Sequence, residues 1–179
     1  MHNQGVPPTD RAPRFEQIVR QHQRALVAIA YRMLGNLEDA RDAGQETFMR
    51  FWQRHDWPAD ASTTFALLAR ILVNACIDRL RKRQRHWWRY QPAGKRSSEP
   101  VSADNPERAQ RENELRGMLE AAITRLKPRQ KAVFVLRDVE GYSVRETATI
   151  LDASENSVLV NLHLARKNLR KWLAPYLSE

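Results

Sequence analysis

This 179-residue sequence is poor in cysteine, in glycine and in long apolar runs. A single cysteine, Cys76, excludes an internal disulfide framework. It lies in an apolar helical stretch, where a small buried side chain is its expected role. Glycine occurs only 6 times and alternating β-branched runs are few, so the chain is expected to be nearly all helix. No apolar run approaches the ~20 residues that a membrane span needs. The opening stretch MHNQGVPPTDRAPR has no apolar core of the kind a signal peptide carries, and it reads as a flexible tail. The sequence shows no metal-ligand cluster, Gly-rich phosphate loop or nucleophile–base constellation, so neither catalysis nor a cofactor is expected. His22, His55, His86 and His163 are scattered without ligand spacing. What the chain does have is cationic charge: 30 Lys and Arg against 21 Asp and Glu, a formal net charge of +9. That balance suits a polyanion, either nucleic acid or an acidic membrane surface. The expectation is a soluble, cytoplasmic protein with no membrane insertion.

The segment Glu140 to Arg170 reads as a helix-turn-helix. Gly141 and Ser143 break and cap the chain, and Val144 to Leu151 suit a short helix. Asp152-Ala153-Ser154 then forms a turn, and Ser154 can cap a second helix by accepting a backbone N–H bond. In that second helix Val158, Leu162, Ala165 and Leu169 recur at spacings of four, three and four, one stripe of a docked helix. A three-residue turn between two helices presents the second to the DNA major groove. An ordinary helical hairpin is the other reading of this segment.

Upstream, Phe15, Ile18, Val19, His22, Leu26, Ile29, Met33 and Leu34 fit one helix, which Gly35-Asn36 closes. A second helix is predicted from about Leu37 to Arg54 and a third from about Thr64 to Arg85, with HDWPADAST as the loop between them. The Pro-, Ser- and Gly-rich stretch QPAGKRSSEPVSADNP reads as a flexible linker. Leu126-Lys127-Pro128 marks a further helix boundary. The expected architecture is all-α: two small helical domains on a flexible linker, the C-terminal one a helix-turn-helix. The domain bounds are a tail over 1–14, a first domain over 15–89, a linker over 90–106 and a second domain over 107–179. No internal repeat is evident. Charge is uneven within the first domain. Glu38, Asp39, Asp42, Glu46, Asp56 and Asp60 outweigh the cations of the second helix and loop, whereas the third helix carries Arg70, Arg79, Arg81, Lys82, Arg83 and Arg85 against Asp78 alone. Two opposed surfaces imply two partners.

Three runs, YRMLGNLEDARDAGQETFMRFW, FALLARILVNACIDRLRKRQR and LKPRQKAVFVLRDVEGYSVRETATIL, together resemble the extracytoplasmic-function sigma factors of bacterial RNA polymerase. The most specific pieces are Asp39 to Phe48 and Asn74 to Arg81, at their expected separation ahead of the helix-turn-helix. The resemblance implies an alternative sigma factor, not an enzyme. It would bind core RNA polymerase, recognise the −10 and −35 elements of promoter DNA and promote melting and transcription initiation. The other candidates are a stand-alone helix-turn-helix DNA-binding regulator and a helical protein-interaction module. Since the sequence ends soon after the helix-turn-helix, no sensor domain is expected, and control by a separate anti-sigma factor is.

The resemblance also assigns residues. Asp39, Asp42, Gln45, Glu46 and Phe48 carry the motif that docks on core polymerase. Positions 42, 45, 46 and 49 share one helical face, which projects carboxylate, amide and apolar groups together. The Ala43-Gly44 pair departs from the bulky apolar residues usual in the family, so this helix is either locally softer or packed against something close. For the −10 element the candidates are Trp57, Arg70, Asn74, Arg79, Arg81 and Lys82. Arginines hold phosphate, Asn74 can both donate and accept, and the Trp57 to Thr63 loop resembles one that captures an unstacked base. Trp57 as a core or loop anchor is the alternative. The RQRHWWRY run suits either single-stranded nucleic acid or a packed helix end. For the −35 element the candidates are Ser157, Val160, Asn161, His163, Leu164 and Arg166. The recognition helix here carries Leu159, Val160, Asn161 and Leu164 where relatives commonly have cations or serine. Leu159, Val160 and Leu164 can touch thymine methyl groups, bind an anti-sigma protein, or pack against the first domain, while Asn161 can pair with adenine.

Overall fold

The computed structural model describes residues 8–89 and 117–177. All regular structure in them is helical. In chain order the elements are α1 (Pro8–Leu34), α2 (Leu37–Trp52), α3 (Ala61–Arg89), α4 (117–125), α5 (Pro128–Phe134), a π-turn (Val135–Val139), α6 (Val144–Leu151) and α7 (Glu155–Leu177). The linker predicted over 90–106 lies outside the described residues.

Local chemistry sets most boundaries. Gly35, at φ +71°, ends α1, and Asn36 caps α2 by accepting the Asp39 N–H at 3.1 Å. Pro128 opens α5, where its missing N–H would have been unsatisfied anyway. The α5 end closes through Gly141 (φ +78°) with the Tyr142 N–H reaching back to the Leu136 carbonyl, a Schellman-type closure whose last turn is wound as π. Ser143 and Glu146 then form a reciprocal capping box on α6.

Two expectations change. The N-terminal helix begins at Pro8 rather than near Phe15, so residues 8–14 are not a tail. Pro8 stands in the first turn, where a missing N–H is unsatisfied anyway, and Pro13 lies further on, inside the helix. Hydrogen bonds from Arg11 and Arg14 to the α2–α3 loop secure these turns. Second, Ala61–Arg85 is long and apolar enough on length and composition to cross a membrane. Leu68, Ala69, Leu72, Val73, Cys76 and Ile77 on it are instead buried in the core, which accounts for its apolarity. Cys76 is fully buried there, and burial pushes its thiol up to about 12, as expected of an inert packing residue.

The two helical units do not stand apart. One continuous core joins Leu26, Ile29, Met33, Phe51, Leu68 and Leu72 of α1–α3 to Val133, Leu136, Ile150, Leu151 and Val158 of the C-terminal helices. A smaller cluster of Ala122, Leu126, Ala165 and Leu169 packs α4 onto α7. α3 lies against both α5 and α6.

The Ala43-Gly44 pair is resolved by α1. Gly44 is buried, and a Cβ placed on it would sit 3.2 Å from Val27 Cγ2. The small pair lets α1 and α2 approach closely. Gly44→Ala is therefore expected to fall within about 1 kcal/mol of the parent in a denaturant melt, the helix-propensity gain of ~1 kcal/mol offset by crowding. Gly44→Leu cannot be accommodated that way and should lose at least about 1–3 kcal/mol.

Candidate partner and nucleic-acid interfaces

Three surfaces carry the sequence candidates. On α2, N-capped by Asn36, the outward face presents Asp42, Gln45 and Met49, with Glu46 half-buried beside them. Met49 is 64% exposed, an apolar centre among polar neighbours. Asp42 is exposed and in no ion pair among the described residues. The other acids of the motif are engaged. Asp39 pairs with Arg83, which also donates to the Leu34 carbonyl, and Glu46 bridges Arg50 at 2.5 Å and Arg79 at 2.8 Å. The acidic and basic helices are thus stitched to each other along part of their length. Phe48 is corrected: it is 7% exposed and packs edge-on against Phe15, so it shapes α2 from inside and is not presented to a partner. Trp52, one turn on and 40% exposed, was missed by sequence reasoning; its i+3 spacing from Met49 was the available signal.

On α3, Asn74, Asp78, Arg81 and Lys82 line the exposed side, and Arg81 reaches Asp78 at 3.5 Å. Arg79 belongs to the α2 contact just described. Arg70 turns to the C-terminal helices: its Nε and Nη2 donate to the Thr149 carbonyl at 3.2 and 2.8 Å, and Asp152 lies 3.4 Å away. Asp152 sits at φ 49°, in the turn between the two helices of the helix-turn-helix. Two further contacts tie the units together. Arg32 pairs with Glu140, and Tyr142 stacks on Phe65 with centroids 6.2 Å apart. Trp57 is also corrected. Its ring lies against Phe51 at 4.9 Å and Phe15 at 5.9 Å, its indole N–H donates to the Phe51 carbonyl at 3.1 Å, and it is 8% exposed. It anchors the loop, and its face is not free to stack on a base. In the RQRHWWRY run, the side chains beyond Arg85 lie outside the described residues.

His22 lies tilted against Phe65 with ring centroids 5.3 Å apart, is 7% exposed, and its Nε2 has no hydrogen-bond partner among the described residues. Burial lowers its pKa below the usual histidine value. The unfolded chain therefore takes up the proton first. Stability from this residue is complete above the ordinary value near 6.5 and falls as pH drops below it toward the folded-state pKa. In parallel thermal melts from pH 7.5 to 5, the parent is expected to lose more stability than His22→Phe.

On the C-terminal unit, Val158, Leu162, Ala165 and Leu169 of α7 are buried, and Ser154 accepts the Ser157 N–H at 3.2 Å. The opposite face leaves Leu159, Val160 and Leu164 at 50%, 49% and 38% exposure, so they do not pack against the first domain. His163 is exposed, and Ser157 is half-buried at the helix start. Arg166 forms a two-bond pair with Asp138 at 2.8 and 2.6 Å, which raises its pKa further and ties it to the π-turn. The Asn161 amide donates to the Ser157 carbonyl at 2.8 Å within its own helix. Leu159, Leu162, His163, Arg166, Lys167 and Arg170 line a shallow groove, an apolar floor with a cationic rim.

An all-helical chain with an acid-faced helix, a basic helix beside it and a capped helix-turn-helix has the build of a promoter-binding transcription protein. Comparison with known proteins agrees. Residues 18–86 match the family described as Sigma-70 region 2, and residues 116–169 match Sigma-70, region 4. The chain is 32% identical to the ECF RNA polymerase sigma factor SigW of Bacillus subtilis, over 89% of this chain and 88% of that protein. It is 31% identical to the RNA polymerase sigma-E factor of Streptomyces avermitilis, over 89% and 84%. The chain belongs to the extracytoplasmic-function sigma factor family. It spans less of some curated relatives: 64% of SigE of Mycolicibacterium smegmatis, at 34% identity, and 51% of SigG of Mycobacterium tuberculosis, at 32%. Its fold is also that of the sigma factor RpoE crystallised with the anti-sigma factor NepR from Bartonella quintana. That match has a TM-score of 0.65, covers 89% of this chain and 96% of that one, and is 23% identical in sequence.

Proposed function

We propose that this chain is an alternative sigma factor, without catalysis of its own, that acts in the cytoplasm. It delivers core RNA polymerase to a promoter, recognises −10 and −35 elements and promotes melting. Its first domain corresponds to residues 15–89 with the opening turns of α1 added, and its second to 107–179. The observation that carries the reading is the α2 face: Asp42, Gln45 and Met49 project together, exposed, and no described residue covers them. A stand-alone DNA-binding regulator has no use for such a face. In this reading Asp42, Gln45 and the rim of Glu46 and Asp39 meet core polymerase, where charge governs encounter and orientation. Asn74, Arg81, Lys82 and, once released, Arg70 and Arg79 meet the −10 region. Phosphate contacts supply affinity there and Asn74 is placed to read a base. Ser157, Val160, Asn161, His163, Leu164 and Arg166 meet −35 DNA, Val160 and Leu164 against thymine methyls and Asn161 against adenine once it leaves the Ser157 carbonyl. The test is co-elution with sigma-free core polymerase. A parent chain that fails to co-elute, with no inhibitor present, sinks the reading in favour of the stand-alone regulator.

The packed arrangement then has to open. A −10 and a −35 element lie roughly 25 base pairs apart, on the order of 80 Å of duplex at about 3.4 Å per pair. Arg70 and the helix-turn-helix turn are in direct contact here. Both elements cannot be read at once in that state. A partner that favours the packed form would silence the chain, the role we assign to an anti-sigma factor. A chain carrying Arg32→Glu and Tyr142→Ala loses the ion pair and the ring stack between the units. It is expected to bind core polymerase about threefold to tenfold more tightly, since a lost aromatic pair is worth about 0.5–1.5 kcal/mol of closed-state preference. Isothermal titration of both chains with core polymerase checks this.

A further inference from the structure

The resemblance assigns Trp57 to Thr63 to contact with an unstacked promoter base; in the structure residues 61–63 open α3, the α2–α3 loop spans residues 53–60, and its one large aromatic is turned into the core. What remains to meet DNA is the loop backbone together with the exposed side chains of Gln53, Arg54, His55, Asp56, Ala59 and Asp60. Eight residues without regular structure hold a defined shape only if their carbonyls find donors. At the start of the loop the Trp52 and Arg54 carbonyls both accept from Arg11 Nη2, the first at 2.6 Å. In its middle the Pro58 carbonyl accepts from Arg14 Nη2. At its end Asp60 accepts the Thr63 N–H at 2.7 Å and thereby starts α3. The Arg11 guanidinium also lies over two rings, 5.1 Å from the Trp52 centroid and 4.7 Å from that of Trp57. A planar guanidinium can donate in its plane while its face covers a ring, which an ammonium cannot do.

We propose that Arg11 and Arg14, on the opening turns of α1, are the positioning residues that hold the α2–α3 loop in the shape in which it meets the melted promoter strand. They act through the loop backbone and do not themselves touch DNA. The inference rests on the sigma-factor reading for its DNA half only. Its structural half concerns this chain alone. α2 and α3 need neither arginine: both are fixed by the Phe51, Leu68 and Leu72 core and by the Arg83–Asp39 and Arg79–Glu46 pairs. Loss of the clamp is therefore expected to loosen the loop while leaving the polymerase-facing side of α2 unchanged.

The experiment uses the full chain carrying Arg11→Gln and Arg14→Gln, with Arg11→Lys as the conservative variant. Hydrogen exchange by NMR of the Trp57 indole N–H and the Gln53 and Arg54 amides should quicken about tenfold in the double variant. The protection of α3 amides should not change. Equal exchange at those three sites overturns the proposal, whether or not the chain starts transcription. The second measurement is run-off transcription from fragmented genomic DNA of the source organism with core polymerase, its start sites mapped by 5′-end sequencing. The strongest of these templates is then rebuilt with a pre-melted bubble at −10. The double variant should lose about tenfold on the duplex and stay within about twofold of the parent on the bubble, with unchanged affinity for core polymerase. Arg11→Lys should behave as a loss, because a lysine cannot serve two carbonyls and two rings. Equal activity on duplex templates, or equal loss on both templates, overturns the DNA half. A parent chain that initiates nowhere overturns the sigma reading and that half with it, while the exchange result still decides the clamp.

Discussion

Trp57→Ala is expected to destabilise the N-terminal helices by about 3–5 kcal/mol, the cost of deleting a large buried aromatic. The indole sits between Phe51 and Phe15, with Trp52 at 5.7 Å, and donates to the Phe51 carbonyl. Removing it leaves a cavity at the end of α2, takes the indole donor from the Phe51 carbonyl, which keeps the Arg54 N–H at 3.1 Å, and deprives Arg11 of a ring to cover. Trp57→Phe keeps most of the apolar volume and loses the N–H bond, so its cost should be about 1–3 kcal/mol. Denaturant melts followed by far-UV circular dichroism measure both. A residue that captured bases would behave in the opposite way: both substitutions would leave the melts alone and impair only promoter opening.

Asp42→Lys should weaken binding to core polymerase by at least about tenfold to a hundredfold with no change in melting temperature. The carboxylate stands exposed beside Gln45 and Met49 and carries no ion pair that the change could break. Reversing its sign turns attraction at the rim into like-charge repulsion, which costs several kcal/mol where the groups meet. Glu46 is the poorer test. Its two oxygens hold Arg50 and Arg79, so Glu46→Lys sets three cations together and loosens α2 from α3 before any partner arrives. A loss of binding there has two causes. Size-exclusion co-elution with sigma-free core polymerase, with Asp42→Asn as the milder variant, distinguishes a charge effect from a steric one. Full binding by Asp42→Lys would remove α2 from the interface.

Much of the local structure was legible because it depends on neighbours in sequence. Ser143 with Glu146, Ser154, Asn36, Gly35 and Gly141 each satisfy or release backbone groups within a few residues, so reading them requires no knowledge of the fold. The α7 stripe of Val158, Leu162, Ala165 and Leu169 was equally plain, since a 3.6-residue period shows which side is buried whatever it packs on. The site was less legible. Phe48 and Met49 are adjacent apolar residues on one helix, and the motif marks the first, yet the first is buried and the second exposed. Which one faces out depends on where α1 lies. Trp57 was open for the same reason: aromatic character suits both a base platform and a core anchor, and only the positions of Phe15, Phe51 and Arg11 decide between them.

The sequence by itself determined an all-helical chain, its caps and turns, its helix-turn-helix and its family, because each rests on periodicity, on capping chemistry or on a motif read in order. The tertiary structure alone decided which charges are free. Arg70 is held by Thr149, 79 residues away, Arg166 by Asp138, Arg83 by Asp39 and Arg11 by the loop it clamps, while Asp42 is left bare. An arginine is a DNA contact, a clamp or a strut according to what lies within about 3 Å of its guanidinium. In this chain those neighbours come from other helices, so no local pattern encodes them.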